Sequence, residues 1–99
     1  MSALSSKQRQ YLKGLAHSLS PVVRVGKSGI TDAVVAETAT ALRAHELIKV
    51  RIEAEEAAER RQSAGQLAEA ASAALVGTVG KIAILYKARA EEPDIVLPG

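Results

Sequence analysis

The loop after the first apolar run combines residue types that bind phosphate readily. In the stretch PVVRVGKSGITDAVV, Lys27 and Ser28 lie between Gly26 and Gly29, with a β-branched run before them and a helical pattern after. Glycines let a phosphate approach the main chain, and lysine adds a positive charge. The start of the following helix would add free N–H groups, although the charge of Asp32 would partly offset their field. This pattern predicts either a phosphate-binding loop or a plain strand-to-helix turn.

Nucleotide binding is one chemistry that this loop could support. Gly26, Lys27 and Ser28 match the end of the P-loop signature. That signature also requires a glycine five positions earlier, where the loop wraps the phosphates, and this position is Pro21. The residues between them have the pattern of a strand rather than of a loop. We therefore expect no nucleotide site.

Hydrolysis and metal binding have still weaker support. Ser28, His17, His45 and Asp32 would supply a Ser-His-Asp set, but no nucleophile elbow surrounds the serine. Two histidines without cysteines or HExxH-type spacing make a poor ligand set. We expect no catalytic residues, no metal and no cofactor. The third hypothesis is binding of a phosphodiester backbone. The G-x-x-G loop of KH modules binds the nucleic-acid backbone in this way.

Composition and charge narrow the class of protein. The 99 residues fit one domain spanning 1–99, and the absence of cysteine excludes disulfides. The absence of Phe and Trp leaves little aromatic surface for base stacking. Residues 1–52 contain eight Lys/Arg and three Asp/Glu, whereas residues 53–99 contain five and eight. The basic half favours a polyanionic partner, although small soluble domains often divide their charge in this way.

Periodicity predicts seven elements in the order helix, strand, helix, strand, helix, strand, strand. Ser5 and Gln8 have the spacing of a capping box, and Gly80 separates the last two strands as in a hairpin. The predicted elements are a helix from Ser5 to about residue 17, a strand over 22–25, a helix over 31–44, a strand over 47–52, a helix over 53–74, and strands over 75–79 and 81–87. Residues 88–99 form an extended or partly disordered tail outside the core of 4–88.

These elements predict an α/β domain of the two-layer α+β type. The first strand, second helix and second strand form a crossover unit, so their strands should be parallel, and the hairpin makes the four-stranded sheet mixed. On the second strand Lys49 and Arg51 alternate with Ile48, Val50 and Ile52, so one face is apolar and the other basic.

The basic residues divide into two groups. Arg24, Lys49 and Arg51 should point the same way from neighbouring strands and form one patch with Lys27. The alternative for Lys49 and Arg51 is that they only keep an open sheet face soluble. Lys7, Arg9 and Lys13 on the first helix form the second group, and a solvated helix face would explain these.

Five motifs in order resemble the YhbY-type CRM domain, named for chloroplast RNA splicing and ribosome maturation. They are LSSKQ at 4–8, PVV at 21–23, G-x-x-G at 26–29, HELIKV at 45–50 and GKIAILY at 80–86, and the likeness covers residues 4–88. The resemblance implies a fold similar to the carboxy-terminal domain of translation initiation factor three. It also implies RNA binding through Gly26, Lys27, Ser28 and Gly29 and the basic surface nearby, with Lys49 and Arg51 carried over from the HELIKV strand. Residues 53–74 depart from the family pattern.

Stand-alone bacterial members of that family are associated with precursors of the large ribosomal subunit. The resemblance therefore implies a non-enzymatic protein that binds ribosomal RNA of this precursor. The alternative is a protein-docking module whose acidic third helix and tail bind a ribosomal protein or an assembly factor. With no apolar run of membrane-spanning length, we expect a soluble protein, and the absence of cysteine fits a reducing cytoplasm. We also expect a monomer.

Overall fold

The first helix begins where the capping box places it. In the computed structural model, which describes residues 4–99, helix α1 spans Ser6–Ala16. The Ser5 hydroxyl accepts a hydrogen bond from the Gln8 N–H at 3.1 Å, and Gln8 Oε1 accepts one from the Ser5 N–H at 3.0 Å. Two N–H groups that the helix leaves unpaired are thereby satisfied, which confirms the predicted cap.

The remaining elements follow in the predicted order. They are β1 Pro21–Val25, α2 Asp32–His45, β2 Leu47–Ile52, α3 Ala57–Ala70, β3 Ala74–Val79 and β4 Ile82–Tyr86. The strand order in the sheet is β1-β2-β4-β3, with β1 parallel to β2 and the other two pairs antiparallel. The mixed four-stranded sheet and the β1–α2–β2 crossover are confirmed.

The helices lie on both faces of the sheet rather than in one second layer. One apolar cluster joins α2 and α3 to the sheet through side chains such as Leu42, Leu67 and Val50. On the opposite face, Leu12 and Ala16 of α1 pack against Ile84 and its neighbours. Successive side chains of the central strands β2 and β4 point to opposite faces of the sheet, and each face receives apolar side chains from them. Helices therefore pack on both faces and bury these side chains. The expected two layers become three over the part of the sheet that α1 covers.

Helix α3 is shorter than the sequence predicts, and the hairpin is close to expectation. The observed helix is four residues shorter at each end than the predicted helix over 53–74. At its start, Glu53 still pairs with β1 in continuation of β2, and at its end the turn before β3 contains Ser72 at φ +54°. Gly65 lies within the helix without interrupting it. Val79 pairs with Ile82 across a two-residue turn, where Gly80 has φ +57°, a conformation that favours glycine.

The carboxy-terminal tail has no helix or strand, yet it is held against the domain by Glu46. This residue ends α2 with φ +60° and is fully buried. Its carboxylate accepts hydrogen bonds from the N–H groups of Arg89 and Asp94, each at 2.7 Å, and of Ile95 at 3.0 Å. Ile95 then packs on the cluster beneath α1, together with Leu97. The tail contributes to the core that the sequence places within 4–88.

Candidate functional site

Gly26, Lys27, Ser28 and Gly29 form an exposed turn at the carboxyl end of β1. The Gly29 N–H donates to the Gly26 carbonyl at 3.1 Å, so one of the loop amides is used within the turn itself. Lys27 and Ser28 are exposed at its tip. Among the described residues 4–99, no acceptor receives a hydrogen bond from the N–H of Lys27 or of Ser28. These two amides can donate to an incoming anion.

The two glycines of the turn have different reasons to be glycine. Gly29 has φ +73°, a conformation that other residues adopt only with strain. Gly26 has no such φ, and a Cβ added to it would meet no atom of residues 4–99 within 4 Å. The fold therefore explains Gly29 and leaves Gly26 without a structural reason, as expected if something outside the chain approaches the backbone there.

The start of α2 contributes little to anion binding. The Thr31 hydroxyl caps the helix by accepting from the Val34 N–H at 3.2 Å, so that donor is already engaged. Asp32, in the first turn, adds a negative charge close to the helix amino terminus. Anion binding at this end of the molecule rests on the turn and on neighbouring side chains.

Arg24 and Arg51 lie side by side next to the turn. They are register partners on the parallel strands β1 and β2, and the residues on either side of Arg24 and of Arg51 are buried on the α2 and α3 side. The arginines therefore share the other face, as predicted. Both side chains point to one carboxylate oxygen: the Nε atoms of Arg24 and Arg51 lie 2.8 and 3.1 Å from Oε2 of Glu53. Glu53 is a residue that the sequence did not indicate.

The charges around Glu53 keep its side chain ionised. The hydrogen bond from Arg51 lowers the pKa of Glu53, partial burial opposes this change, and the charges of Arg51, Arg24 and Lys81 lower the pKa further. The site at neutral pH thus consists of two guanidinium groups around one carboxylate. Its local charge is positive, and it lies within a residue or two of the exposed turn.

Lys49 shares this face but lies nearer the other end of the strands. Its register partner is Pro21, at the start of β1, and its Nζ lies 3.5 Å from the His17 carbonyl at the end of α1. Lys49 and Arg51 are two positions apart on one face of β2, a spacing of about 7 Å. A row of positive charge therefore runs along β2 toward the turn.

Lys81 is a further cation near the turn that the sequence did not single out. The Lys81 carbonyl accepts from the Ile52 N–H at 2.7 Å, which places the β3–β4 turn beside the end of β2. Its Nζ lies 3.8 Å from Glu55, which is largely exposed. The GK pair of the GKIAILY motif could have indicated Lys81 from the sequence. The proximity of Lys81 to residue 52, however, depends on strand pairing.

The basic residues of α1 are not gathered with this cluster. The Arg9 guanidinium donates to the carbonyls of Leu75 and Val76 at 2.7 and 3.0 Å, so it ties α1 to β3. The side chain of Lys13 crosses Gly77, where an added Cβ would come within 2.9 Å of Lys13 Cε. Strand β3 is the edge opposite β1. Of the three, exposed Lys7 alone has no such contact to β3 among the described residues.

The α3 side of the turn is acidic. A cleft of about 310 Å³ runs between the turn and the start of α3, and its lining includes Lys27, Glu55 and Glu59. A phosphate chain would be repelled there and attracted on the side of the two arginines. The charge distribution thus gives the turn a basic side and an acidic side.

The alternative chemistries have no matching geometry. His17 and His45 follow α1 and end α2, at the starts of β1 and β2, whereas Ser28 follows the other end of β1. A five-residue strand, roughly 16 Å long, separates them, so no Ser-His-Asp set forms. Residues 21–25 are strand, which excludes a P-loop turn around phosphates. Over residues 4–99, no group of three His, Asp or Glu side chains is placed to hold a metal ion, and no helix is long and apolar enough to span a membrane.

A glycine-bracketed turn between a strand and a helix, with arginines of two parallel strands beside it, defines a small α/β domain of a known type. The chain belongs to the CRS1/YhbY (CRM) domain family, whose model matches residues 4–87.

Curated relatives and a solved structure agree with this assignment. A protein of Haemophilus influenzae named RNA-binding protein is 44% identical over 98 residues, which cover 99% of this chain and 98% of that one. The probable RNA-binding protein YqeI of Bacillus subtilis is 37% identical, with coverages of 96% and 99%. The solution structure of a hypothetical Staphylococcus aureus protein, described as an RNA-binding candidate, superposes with a TM-score of 0.86 at 33% identity, with coverages of 96% and 99%.

Proposed function

We propose that this chain is a non-enzymatic RNA-binding protein that contacts ribosomal RNA of the large-subunit precursor during ribosome assembly. The observation that carries the proposal is the placement of Arg24 and Arg51 beside the exposed G-x-x-G turn. The two amides at its tip have no acceptor among residues 4–99. The names of the relatives support RNA as the ligand. The ribosomal target follows from the family resemblance of the sequence.

The phosphate backbone supplies most of the affinity in this proposal. Donors at the site are guanidinium groups, an ammonium group and main-chain amides, which suit phosphate oxygens and carry little base information. The backbone of the RNA passes the turn on its basic side, along Lys49, Arg51 and Arg24, and the glutamates of the α3 side keep it from the cleft. Sequence discrimination is accordingly modest.

Salt titration against RNA tests the proposal directly. With about five phosphates neutralised, log K falls against log salt with a slope of roughly −3 to −5. The measurement is fluorescence anisotropy with labelled fragments tiled over large-subunit ribosomal RNA, compared with a structured RNA of equal length. Crosslinking in cells and mapping of the sites on RNA identify the target. A slope near zero, or crosslinks confined to other RNAs, would contradict the proposal.

The docking alternative predicts a different outcome in a lysate. If an acidic surface binds a protein, the purified partner co-sediments with the chain after RNase treatment. If RNA is the ligand, RNase releases the chain from ribosomal particles. In the structure one acidic side chain of the tail, Asp94, is used within the chain, at 2.9 Å from Arg89.

Replacement of Lys27 by alanine should weaken RNA binding without changing the fold. The side chain is exposed at the tip of the turn, so its loss removes one phosphate contact and little packing. The affinity should fall about sixfold at 0.1 M salt, and the slope against log salt should flatten by nearly one unit. An unchanged slope would remove Lys27 from the interface.

Replacement of Gly26 by alanine separates close approach of RNA from the needs of the fold. The added methyl group meets no atom within 4 Å in the described part of the chain, so the melting temperature should stay within a few degrees of wild type. RNA affinity should fall by about tenfold if the ribose-phosphate chain contacts the main chain there. Gly29→Ala is the control, since its φ of +73° should cost about 1 kcal/mol of stability whether or not RNA binds.

A further inference from the structure

We infer that Glu53 is a built-in competitor of RNA phosphate: its carboxylate occupies Arg24 and Arg51 and thereby sets the affinity and salt response of the site. The inference deepens the proposed function and rests on it.

The contact geometry shows why Glu53 and a phosphate compete. One oxygen, Oε2, lies 2.8 Å from Arg24 Nε and 3.1 Å from Arg51 Nε. An RNA phosphate oxygen seeking both guanidinium groups at once would take the same position, because charge-assisted hydrogen bonds to two arginines favour the point between them. The Arg24 and Arg51 side chains are 70% and 42% exposed, so the phosphate can reach them.

The backbone fixes the carboxylate beside the arginines. The Glu53 N–H donates to the Val25 carbonyl at 3.0 Å, which extends the β1–β2 pairing by one residue and aims the side chain at its neighbours. Lys81 contributes a further positive charge to the surroundings of this carboxylate. The Glu53 side chain is 26% exposed and meets the arginines at the surface, so it can swing away without opening the core.

Charge counting gives the direction and size of the effect. With Glu53 present, the two arginines carry a net charge of +1, and without it they carry +2. One additional unit of charge corresponds to about one more phosphate neutralised, or a slope steeper by roughly 0.7–0.9 and an affinity about sixfold higher at 0.1 M salt. The opposing effect, loss of arginine positioning, is smaller, because exposed ion pairs fix their side chains weakly.

Glu53→Gln is the variant that tests this inference. Glutamine keeps the size and one carbonyl acceptor while removing the charge. Glu69→Gln is the matched control: it makes the same change in net charge at an exposed position of α3, on the face of the sheet opposite the arginines. Melting curves verify that both variants fold, and anisotropy titrations from 0.05 to about 0.5 M salt give affinities and slopes.

We expect Glu53→Gln to bind the ribosomal RNA fragment about sixfold more tightly at 0.1 M salt, with a steeper slope and an advantage that shrinks at higher salt. Glu69→Gln should change the affinity less than twofold. The gain in affinity should disappear in an Arg24→Gln/Arg51→Gln background, because Glu53 can compete with phosphate only while the arginines are present. Equal or weaker binding by Glu53→Gln would overturn the inference alone. Absence of salt-dependent binding by the wild-type chain would overturn the proposed function as well.

Discussion

Glu46→Ala should lower the free energy of unfolding by about 2–3 kcal/mol, the largest stability effect that we expect from one substitution. The carboxylate receives three backbone N–H groups from the tail, and alanine leaves those donors without an acceptor. For a domain of this size the loss corresponds to a melting temperature lower by roughly 10–20 °C. Urea unfolding followed by circular dichroism measures it.

Two further variants distinguish the effect of losing the Glu46 carboxylate from the effect of the backbone conformation at this position. Glu46→Gly also removes the carboxylate but relieves the conformation at φ +60°, so it should be about 1 kcal/mol more stable than Glu46→Ala. Glu46→Gln presents an amide N–H₂ to at least one backbone donor and should lie between wild type and alanine. If all three variants unfold at the wild-type urea midpoint, the tail does not depend on Glu46.

The same contacts predict a pH dependence. Burial by itself would raise the pKa of Glu46, but hydrogen bonds from the Arg89, Ile95 and Asp94 amides, with the charge of Arg89, outweigh it and hold this pKa below its ordinary value near 4.5. A lowered pKa stabilises the fold at pH values above the ordinary value, and that stability is lost as the pH falls through the folded-state pKa. The stability difference between wild type and Glu46→Gln should therefore shrink below about pH 4.

Arg24→Gln/Arg51→Gln should lower RNA affinity by roughly 30- to 40-fold at 0.1 M salt, the largest binding effect that we expect. The pair loses two positive charges while Glu53 remains, and each charge corresponds to about a sixfold change. The slope against log salt should flatten by about 1.5 units. Both side chains are substantially exposed, so the melting temperature should change little.

A second double variant controls for net charge. Arg43→Gln/Arg61→Gln removes two exposed arginines from α2 and α3, which cover the other face of the sheet. Its affinity should fall less than threefold. Equal losses in the two double variants would mean that RNA responds to overall charge, and the arginine pair beside the turn would then not be the interface.

Local sequence patterns predicted the elements of this domain because local interactions determine them. The Ser5–Gln8 spacing placed the start of α1, and the conformational freedom of Gly80 placed the hairpin. Alternation along 47–52 assigned Lys49 and Arg51 to one face, since side chains of a strand alternate whatever lies around them. The bounds of α3 were less well predicted, because strand pairing at Glu53 and the turn at Ser72 fix them.

Tertiary structure decided how the charged residues are used. Arg9 resembles the other cations of α1 in sequence, but its guanidinium binds carbonyls more than 60 residues away. Glu46 looks in the sequence like any residue at a helix end, but in the structure its carboxylate binds N–H groups of the tail. Glu53 meets Arg24 only because the register of β1 on β2 brings residues 29 positions apart into contact. The sequence by itself determined which segments form helices, strands and the glycine-bracketed turn. The pairing of distant charged groups depended on the strand register and on the packing of the tail against the domain, and sequence periodicity encodes neither.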